Sequence, residues 1–339
     1  MIDNSHIDKN TLTEMLTAFP ADSLYKKADK VRHDAVGDAV HLRGLIEFSN
    51  ICRNNCLYCG LRYDNKSVNR YHMTEEEVIE TATKAAHIGF ETIVLQSGED
   101  MYYTTRRMCH IIKKIKKLDV AVTLSIGERS AYDYRAFREA GADRYLMRIE
   151  TSDRALYHRL NPGMSWQHRY DCLMTIKSLG YELGSGIMVG QPGQSIESIA
   201  DDLLLLKEIG VDMAGIGPFI PHQATPLAHE KGGSLELALR TMAAMRLLMP
   251  YINIPATTAM ESLHPQGRIM ALKAGANVVM PNVTEGEYRK FYELYPGKIC
   301  VNDTPVHCRS CIGLKIQAMG RTVAHGKGNS LSHHPSKVE

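Results

Sequence analysis

The chain has 339 residues, 44% of them hydrophobic and 23% charged, with a formal net charge of +2. These values exclude a disordered or low-complexity polymer, and they give no whole-chain field for nucleic acid or an anionic membrane. The opening, MIDNSHIDKN, is polar and no long apolar run follows, so no signal peptide or membrane anchor is expected and the reading is cytoplasmic.

After the polar start, residues 11–31 carry a helical apolar period. Strand-like apolar runs then follow at 41–48, 92–96, 121–125, 144–148, 183–189, 213–216, 252–257 and 276–280. Helical patterns lie between most of them, at 74–88, 105–117, 166–179, 196–209 and 235–248. Strands that alternate with helices imply parallel pairing. Eight such units fit a closed (βα)8 TIM-type barrel, an α/β fold, with an N-terminal helical extension and a C-terminal accessory segment. A doubly wound sheet has the same periodicity. No linker divides the body, so residues 1–320 are expected to form one domain. Residues 321–339, RTVAHGKGNSLSHHPSKVE, are rich in Gly, Ser and His and are expected to form a mobile tail.

The most specific motif lies in ICRNNCLYCGLR at 51–62, where Cys52, Cys56 and Cys59 follow the order Cys-x3-Cys-x2-Cys just after the first strand. Three thiolates cannot satisfy a four-iron cluster that wants one ligand per iron. One iron stays open for a small chelating molecule. The alternatives are a zinc knuckle and a disulfide knot. A structural zinc site wants four protein ligands, and the nearest candidates, His41 and His72, lie outside the loop.

In a (βα)8 barrel the functional groups gather at the strand ends. The second strand ends in Gln96-Ser97-Gly98-Glu99-Asp100, and the third holds Thr123 and Ser125. The fourth ends with Arg148 and Glu150, which strand alternation sends to one side. Two such charges inside a barrel are costly unless paired or bound to a ligand. Gly184, Gly186 and Gly190 mark the fifth strand, and Thr257 and Thr258 end the seventh. Consecutive hydroxyls and backbone donors at a barrel mouth suit an anionic ligand. A second set, Cys300, Cys308 and Cys311, reads as another metal or iron–sulfur position; a zinc site completed by His307 or water is the competing reading. Cys109 and Cys172 sit on helical patterns and read as core or surface thiols.

The triple-cysteine motif, with Tyr58 just before its last cysteine, resembles the signature of radical S-adenosylmethionine (SAM) enzymes. The runs at 46–62, 93–100 (IVLQSGED), 215–222 (GIGPFIPH), 253–260 (NIPATTAM) and 294–300 (LYPGKIC) are similar to the maturases of the [FeFe]-hydrogenase active site. That resemblance implies a [4Fe-4S] cluster on Cys52, Cys56 and Cys59, with SAM chelated at the open iron and cleaved reductively. It implies that Tyr58 packs near the adenine, that Ser97, Gly98 and Glu99 receive the methionyl ammonium, and that Glu150 and Arg169 contact SAM. Thr123 would offer a hydroxyl to the cavity, and Met213 would lie beneath the adenine edge. Arg148, Thr257 and Thr258 would face the substrate, with Tyr292 on a segment covering the bottom or side of the cavity. The second cysteine set would hold an accessory iron–sulfur cluster.

The implied substrate is a small organometallic or cysteine-derived molecule, a cysteine-bound iron carbonyl–cyanide complex. The implied partners are an electron donor such as ferredoxin or flavodoxin and other hydrogenase maturation proteins. Methylornithine synthase and biotin synthase use the same machinery and are the rival readings. Sulfur insertion would need cysteines at later strand ends, and none occurs there. Lysine recognition would need an acidic cavity group, for which Glu150 is the obvious candidate.

Overall fold

The computed structural model describes residues 7–298 and 302–333. The N-terminal helical pattern resolves into two helices, Lys9–Leu16 and Ala21–Val36. Pro20 causes the break, because it lacks an N–H and disfavours helical backbone at Phe19. The Asp8 carboxylate caps the first helix by accepting from Thr11 N at 2.8 Å. The first lies against the outer helices Ile196–Ile209 and Leu235–Leu248, and the second against Leu235–Leu248.

The expected first strand divides at Arg43 into β1 (Ala39–Leu42) and β2 (Gly44–Ser49). β3 (Thr92–Ser97), β4 (Ala121–Ser125), β5 (Arg144–Leu146), β6 (Glu182–Val189) and β7 (Met213–Pro218) follow, each parallel to its neighbour in the order β2-β3-β4-β5-β6-β7. β8 (Val278–Val279) pairs with β1. Residues 252–257 do not form the expected strand. They contribute only the isolated bridges Met213↔Asn253 and Pro255↔Val278. Pro255 has no N–H to donate, so the ladder stops there. The bridge Leu45↔Asn282 returns the ring to β2. The result is a closed parallel barrel with its helices outside, as the alternating pattern implied. No helix among the described residues is long and apolar enough to cross a membrane.

The outer helices begin where side chains can cap them. Thr74 and Glu77 form a reciprocal capping box at the start of Glu75–His87, and Ser130 and Asp133 do the same for Ala131–Glu139. Cys109 and Cys172 lie on outer helices and pack among hydrophobic side chains, as their pattern suggested.

The floor of the barrel corrects one expectation. Residues 321–333, read from composition as a tail without packing, run under the barrel as a strap. β9 (Thr322–Val323) pairs in parallel with β1. Two buried arginines then hold the strap. Arg43 donates to Gly328 O at 3.0 Å. Arg144 donates to Lys327 O at 2.8 Å and Asn329 Oδ1 at 2.5 Å, and pairs with Glu182 at 2.5 Å. Ser330 N donates to the other Glu182 oxygen at 3.0 Å, and His333 meets Asp212 at 3.1 Å. Composition missed this because Lys327, Gly328 and Asn329 here supply backbone and amide acceptors to buried cations instead of an apolar face. Residues 334–339 lie outside the described residues.

Buried cations that lose their acceptors are costly. Deleting residues 326–339 is expected to destabilise the fold by roughly 3 kcal/mol or more, measured by urea unfolding of the metal-free protein. An unchanged midpoint would show that the strap carries no load.

Candidate active site

A cavity of about 440 Å³ occupies the barrel and opens at the C-terminal ends of the strands. Its wall includes Cys52, Cys56 and Cys59 on the loop after β2 and Ser97, Gly98 and Glu99 after β3. Tyr58, Arg148, Glu150, Arg169, Thr257, Thr258 and Tyr292 also face it. The strand-end residues read from sequence are therefore largely brought together.

The cysteine loop is seated on Gly98, whose N–H donates to Ser49 O at 2.9 Å. A Cβ there would lie 2.2 Å from Ile51 O and 3.0 Å from Cys52 Cβ. Only glycine lets the two strand ends meet this closely. Glu99 then pins the loop. One oxygen accepts from Arg53 Nε at 2.6 Å, and the other from Asn54 Nδ2 at 3.1 Å and Glu128 N at 2.9 Å. Gly127 makes room for that carboxylate, since its φ is +75° and a Cβ would lie 2.4 Å from Glu99 Oε2. The side chain expected to meet a ligand ammonium is thus occupied with holding the cysteines.

Burial, and then the neighbouring Cys52, push the Cys56 thiol up to about 12. Burial and the other two cysteines raise Cys59 further still. Thiols in such surroundings stay protonated unless a cationic centre takes the thiolates. The donor set therefore fits an iron–sulfur cluster. Among the described residues no three His, Cys, Asp or Glu side chains converge as a single metal ion requires.

Arg148 and Glu150 share the cavity, but not through strand alternation, because β5 ends at Leu146. Glu150 has a left-handed φ of 68°, unusual for a residue with a side chain. It is held there by Glu150 N donating to Gly186 O at 3.0 Å and Gln191 Nε2 donating to Glu150 O at 3.0 Å. Asp202 braces the next turn, accepting from Thr151 Oγ1 at 3.1 Å and from Ser152 N at 2.5 Å; burial pushes its carboxyl up to about 6. The Arg148–Glu150 contact is an ion pair at 3.0 Å. Arg148 Nε and Nη2 and Glu150 Oε2 nonetheless make no hydrogen bond. Buried polar atoms left this way are rare and point towards a ligand.

Arg169 donates to Glu128 Oε1 at 2.6 Å and to Arg148 O at 2.8 Å. Tyr58 donates to Asn161 Oδ1 at 2.8 Å and packs against the small cluster around Leu160 and Phe219. The Thr257 hydroxyl reaches Ile216 O at 3.4 Å. Tyr292, expected on the bottom or side of the cavity, lies beside the cysteine loop: Gln96 donates to its hydroxyl at 3.2 Å, and nearby Gly60 N donates to Leu294 O at 2.9 Å.

Two expected residues lie away from the cavity wall. Thr123 is fully buried and its hydroxyl has no partner, while Ser125, two residues on, reaches the cavity. Met213 begins β7 near the floor and accepts from Arg43 at 3.1 Å; Gly215, Gly217 and Pro218 present that strand to the cavity instead. Sequence reasoning also passed over Glu47, Glu128 and Lys298. Glu47 is buried on β2, accepts from Asn282 at 2.6 Å and pairs with Lys298. An acidic residue inside the apolar run of β2 was the available signal for Glu47. Cys308 and Cys311 line the far end of the same cavity, where Arg289 donates to Cys308 Sγ at 3.0 Å. Cys300 lies outside the described residues.

Residues 46–206 match the radical SAM superfamily, and residues 216–304 match the biotin and thiamin synthesis associated domain. The chain is 54% identical over 300 residues to the [FeFe] hydrogenase maturase subunit HydE of Thermotoga maritima, covering 88% of this chain and 86% of that protein. It is 33% identical over 275 residues to 3-methylornithine synthase of Methanosarcina acetivorans, covering 80% and 77%. A crystal structure of methylornithine synthase superposes with a TM-score of 0.83 at 27% identity, over 94% of this chain and 95% of that one. A barrel of this topology, its three half-buried thiols at the strand ends and identity of this extent place the chain in one group: it belongs to the radical SAM enzymes, in the family of the hydrogenase maturase HydE.

Proposed function

We propose that the chain acts on a small anionic substrate, a cysteine-bound iron carbonyl–cyanide complex, during assembly of the [FeFe]-hydrogenase diiron site. Cys52, Cys56 and Cys59 would hold a [4Fe-4S] cluster with one open iron. When bound, that cluster supplies an electron that cleaves SAM reductively to the 5′-deoxyadenosyl radical. Glu150, Arg169 and the backbone of the Ser97–Glu99 turn would orient SAM, and Tyr58 would pack beside its adenine. The barrel wall would shield the reacting centre from water. An electron donor such as ferredoxin or flavodoxin and other maturation proteins would be its partners. Cys300, Cys308 and Cys311 would form an accessory iron–sulfur site.

The observation that carries the substrate reading is the charge pattern of the cavity. Glu47, Glu99 and Glu150 are met by Lys298, Arg53 and Arg148 respectively. Those three carboxylates are therefore matched, which disfavours the lysine-like cation a methylornithine synthase must hold. If SAM engages Glu150, Arg148 keeps a positive potential beside Thr257 and Thr258. An anion carrying a cysteine carboxylate meets that potential.

Three measurements test this. Alanine at Cys52, Cys56 or Cys59 is expected to abolish 5′-deoxyadenosine formation by the reconstituted, dithionite-reduced protein; full turnover would overturn the cluster assignment. Gly98→Ala must push the cysteine loop outward by about 1 Å, and a misplacement of that size costs about 100-fold in rate. Iron content and SAM cleavage should both fall, whereas wild-type values for both would show that the seat is dispensable. Arg148→Ala is expected to weaken binding of small anions or cysteine-derived carboxylates to the SAM-bound protein about tenfold, or ~1.4 kcal/mol, by calorimetry. Tight binding of lysine with no response to anions would favour the mutase reading.

A further inference from the structure

The cysteine loop continues into a surface turn at residues 61–70 that is braced far beyond what loop closure needs. Arg70 donates to four backbone carbonyls, those of Asn50, Leu61, Arg62 and Asn65, at 2.6 to 3.1 Å. Asn65 is buried and donates to Gly60 O at 2.7 Å, accepting in turn from Ser67. The turn is also tied to the cysteines. Arg62 N donates to Cys59 O at 3.1 Å, and Tyr63 N donates to Asn54 O at 2.8 Å. Surface loops are usually the mobile part of a fold; this one holds a fixed shape a few bonds from the thiols.

The turn presents an unusual face. Tyr63 is 57% exposed. Lys66 stands over the Tyr63 ring at 4.1 Å and donates to Tyr63 O at 3.1 Å. Residues 53–70 hold four cations, Arg53, Arg62, Lys66 and Arg70, against one carboxylate, Asp64. Asp64 lies 3.6 Å from Arg62, and Glu99 answers Arg53. The hydrogen bonds of Arg70 all go to backbone carbonyls, and Lys66 bonds a carbonyl as well. An exposed aromatic with a lysine over its ring, on a stretch with four cations and one carboxylate, is the composition of a contact surface for an acidic protein.

We propose that the turn at residues 61–70 is the docking surface for an acidic one-electron carrier protein, with Tyr63 and Lys66 at its centre. The inference rests on the radical SAM reading, which requires an external electron. On docking, the reduced carrier gives up one electron and is oxidised, and the cluster site gains that electron; no covalent bond forms or breaks at the surface. Complementary charge would speed the encounter, and the rigid turn would fix the approach to the thiols.

The test uses a plant-type [2Fe-2S] ferredoxin as the acidic carrier. Its binding to the metal-free and the cluster-loaded protein is measured by calorimetry, and its reduction of the loaded protein by visible absorbance. At low ionic strength Lys66→Glu is expected to lower both affinity and reduction rate about tenfold, and Tyr63→Ala to lower affinity severalfold. The difference should vanish in high salt. Lys30→Glu, on a remote helix with its side chain 76% exposed, should change neither. SAM cleavage driven by dithionite should be unaltered in every variant. Equal ferredoxin binding and reduction in Lys66→Glu and wild type would overturn the proposal. So would an equal loss in Lys30→Glu, which would point to total charge instead of this surface. Absence of dithionite-driven SAM cleavage in the wild type would instead strike the radical SAM reading, whatever the binding results.

Discussion

Everything at the mouth of this barrel depends on the Glu99 carboxylate. It stands on the loop after β3, takes donors from Arg53 and Asn54 on the loop after β2, and takes the backbone N–H of Glu128 after β4. One buried side chain thereby ties together three consecutive strand ends. Parallel strands make this workable, because their C-terminal ends all reach the same face. The ties also explain the glycines beside it: Gly98 admits the cysteine loop and Gly127 admits the carboxylate. Without that fixed platform, three half-buried thiols would have no defined spacing to offer to a cluster.

Buried charge is handled differently at the two ends of the barrel. At the floor, Arg144 has a carboxylate, a hydroxyl, a carbonyl and an amide oxygen as partners. Such saturation is what a purely structural buried cation needs. In the cavity, Arg148 and Glu150 touch without hydrogen bonding, and atoms of both are left unpartnered. The same kinds of side chain thus serve two purposes, and satisfaction distinguishes them. Glu47 and Lys298 lie between these extremes. Burial raises the Glu47 carboxyl and lowers the Lys298 ammonium, yet each is the other's charged neighbour. Because Lys298 arrives from the segment after β8, this pair stitches the covering segment into the barrel wall.

Much of the fold was legible because its signals are local. β4 and the helices Ile196–Ile209 and Leu235–Leu248 have the bounds their apolar periods suggested. The cysteine loop was legible for the same reason, since its spacing is a short-range property. What escaped was long-range. The strap under the floor has no apolar period, and its order comes from acceptors offered to arginines over a hundred residues away. The seventh stave looked like a strand by its residues but cannot ladder past Pro255. Thr123 was sought at the cavity because its strand ends there, and Met213 because the resemblance put it beneath the adenine edge. Position along a strand decides depth, and both sit too close to the floor. Glu128 gave no signal beyond following a strand; its role as acceptor for Arg169 exists only once a later helix packs beside it.

Glu150 shows how the site departs from the rules that build the barrel. Strand alternation would have delivered Arg148 and Glu150 to one side without effort, but β5 stops short of both. The chain instead turns at Glu150 with φ of 68°, a conformation costing on the order of 1 kcal/mol for a residue with a side chain. The cost is borne by neighbours that tolerate no other backbone there: Gly186 accepts its N–H, Gln191 donates to its carbonyl, and Asp202 gathers the next two residues. A glycine would sit in that turn with less strain. It would bring no carboxylate, and the only gain from holding a glutamate in this shape is the placement of its charge beside Arg148 in the cavity. The strain is therefore better explained by the ligand chemistry of the cavity than by folding, which a glycine would serve as well.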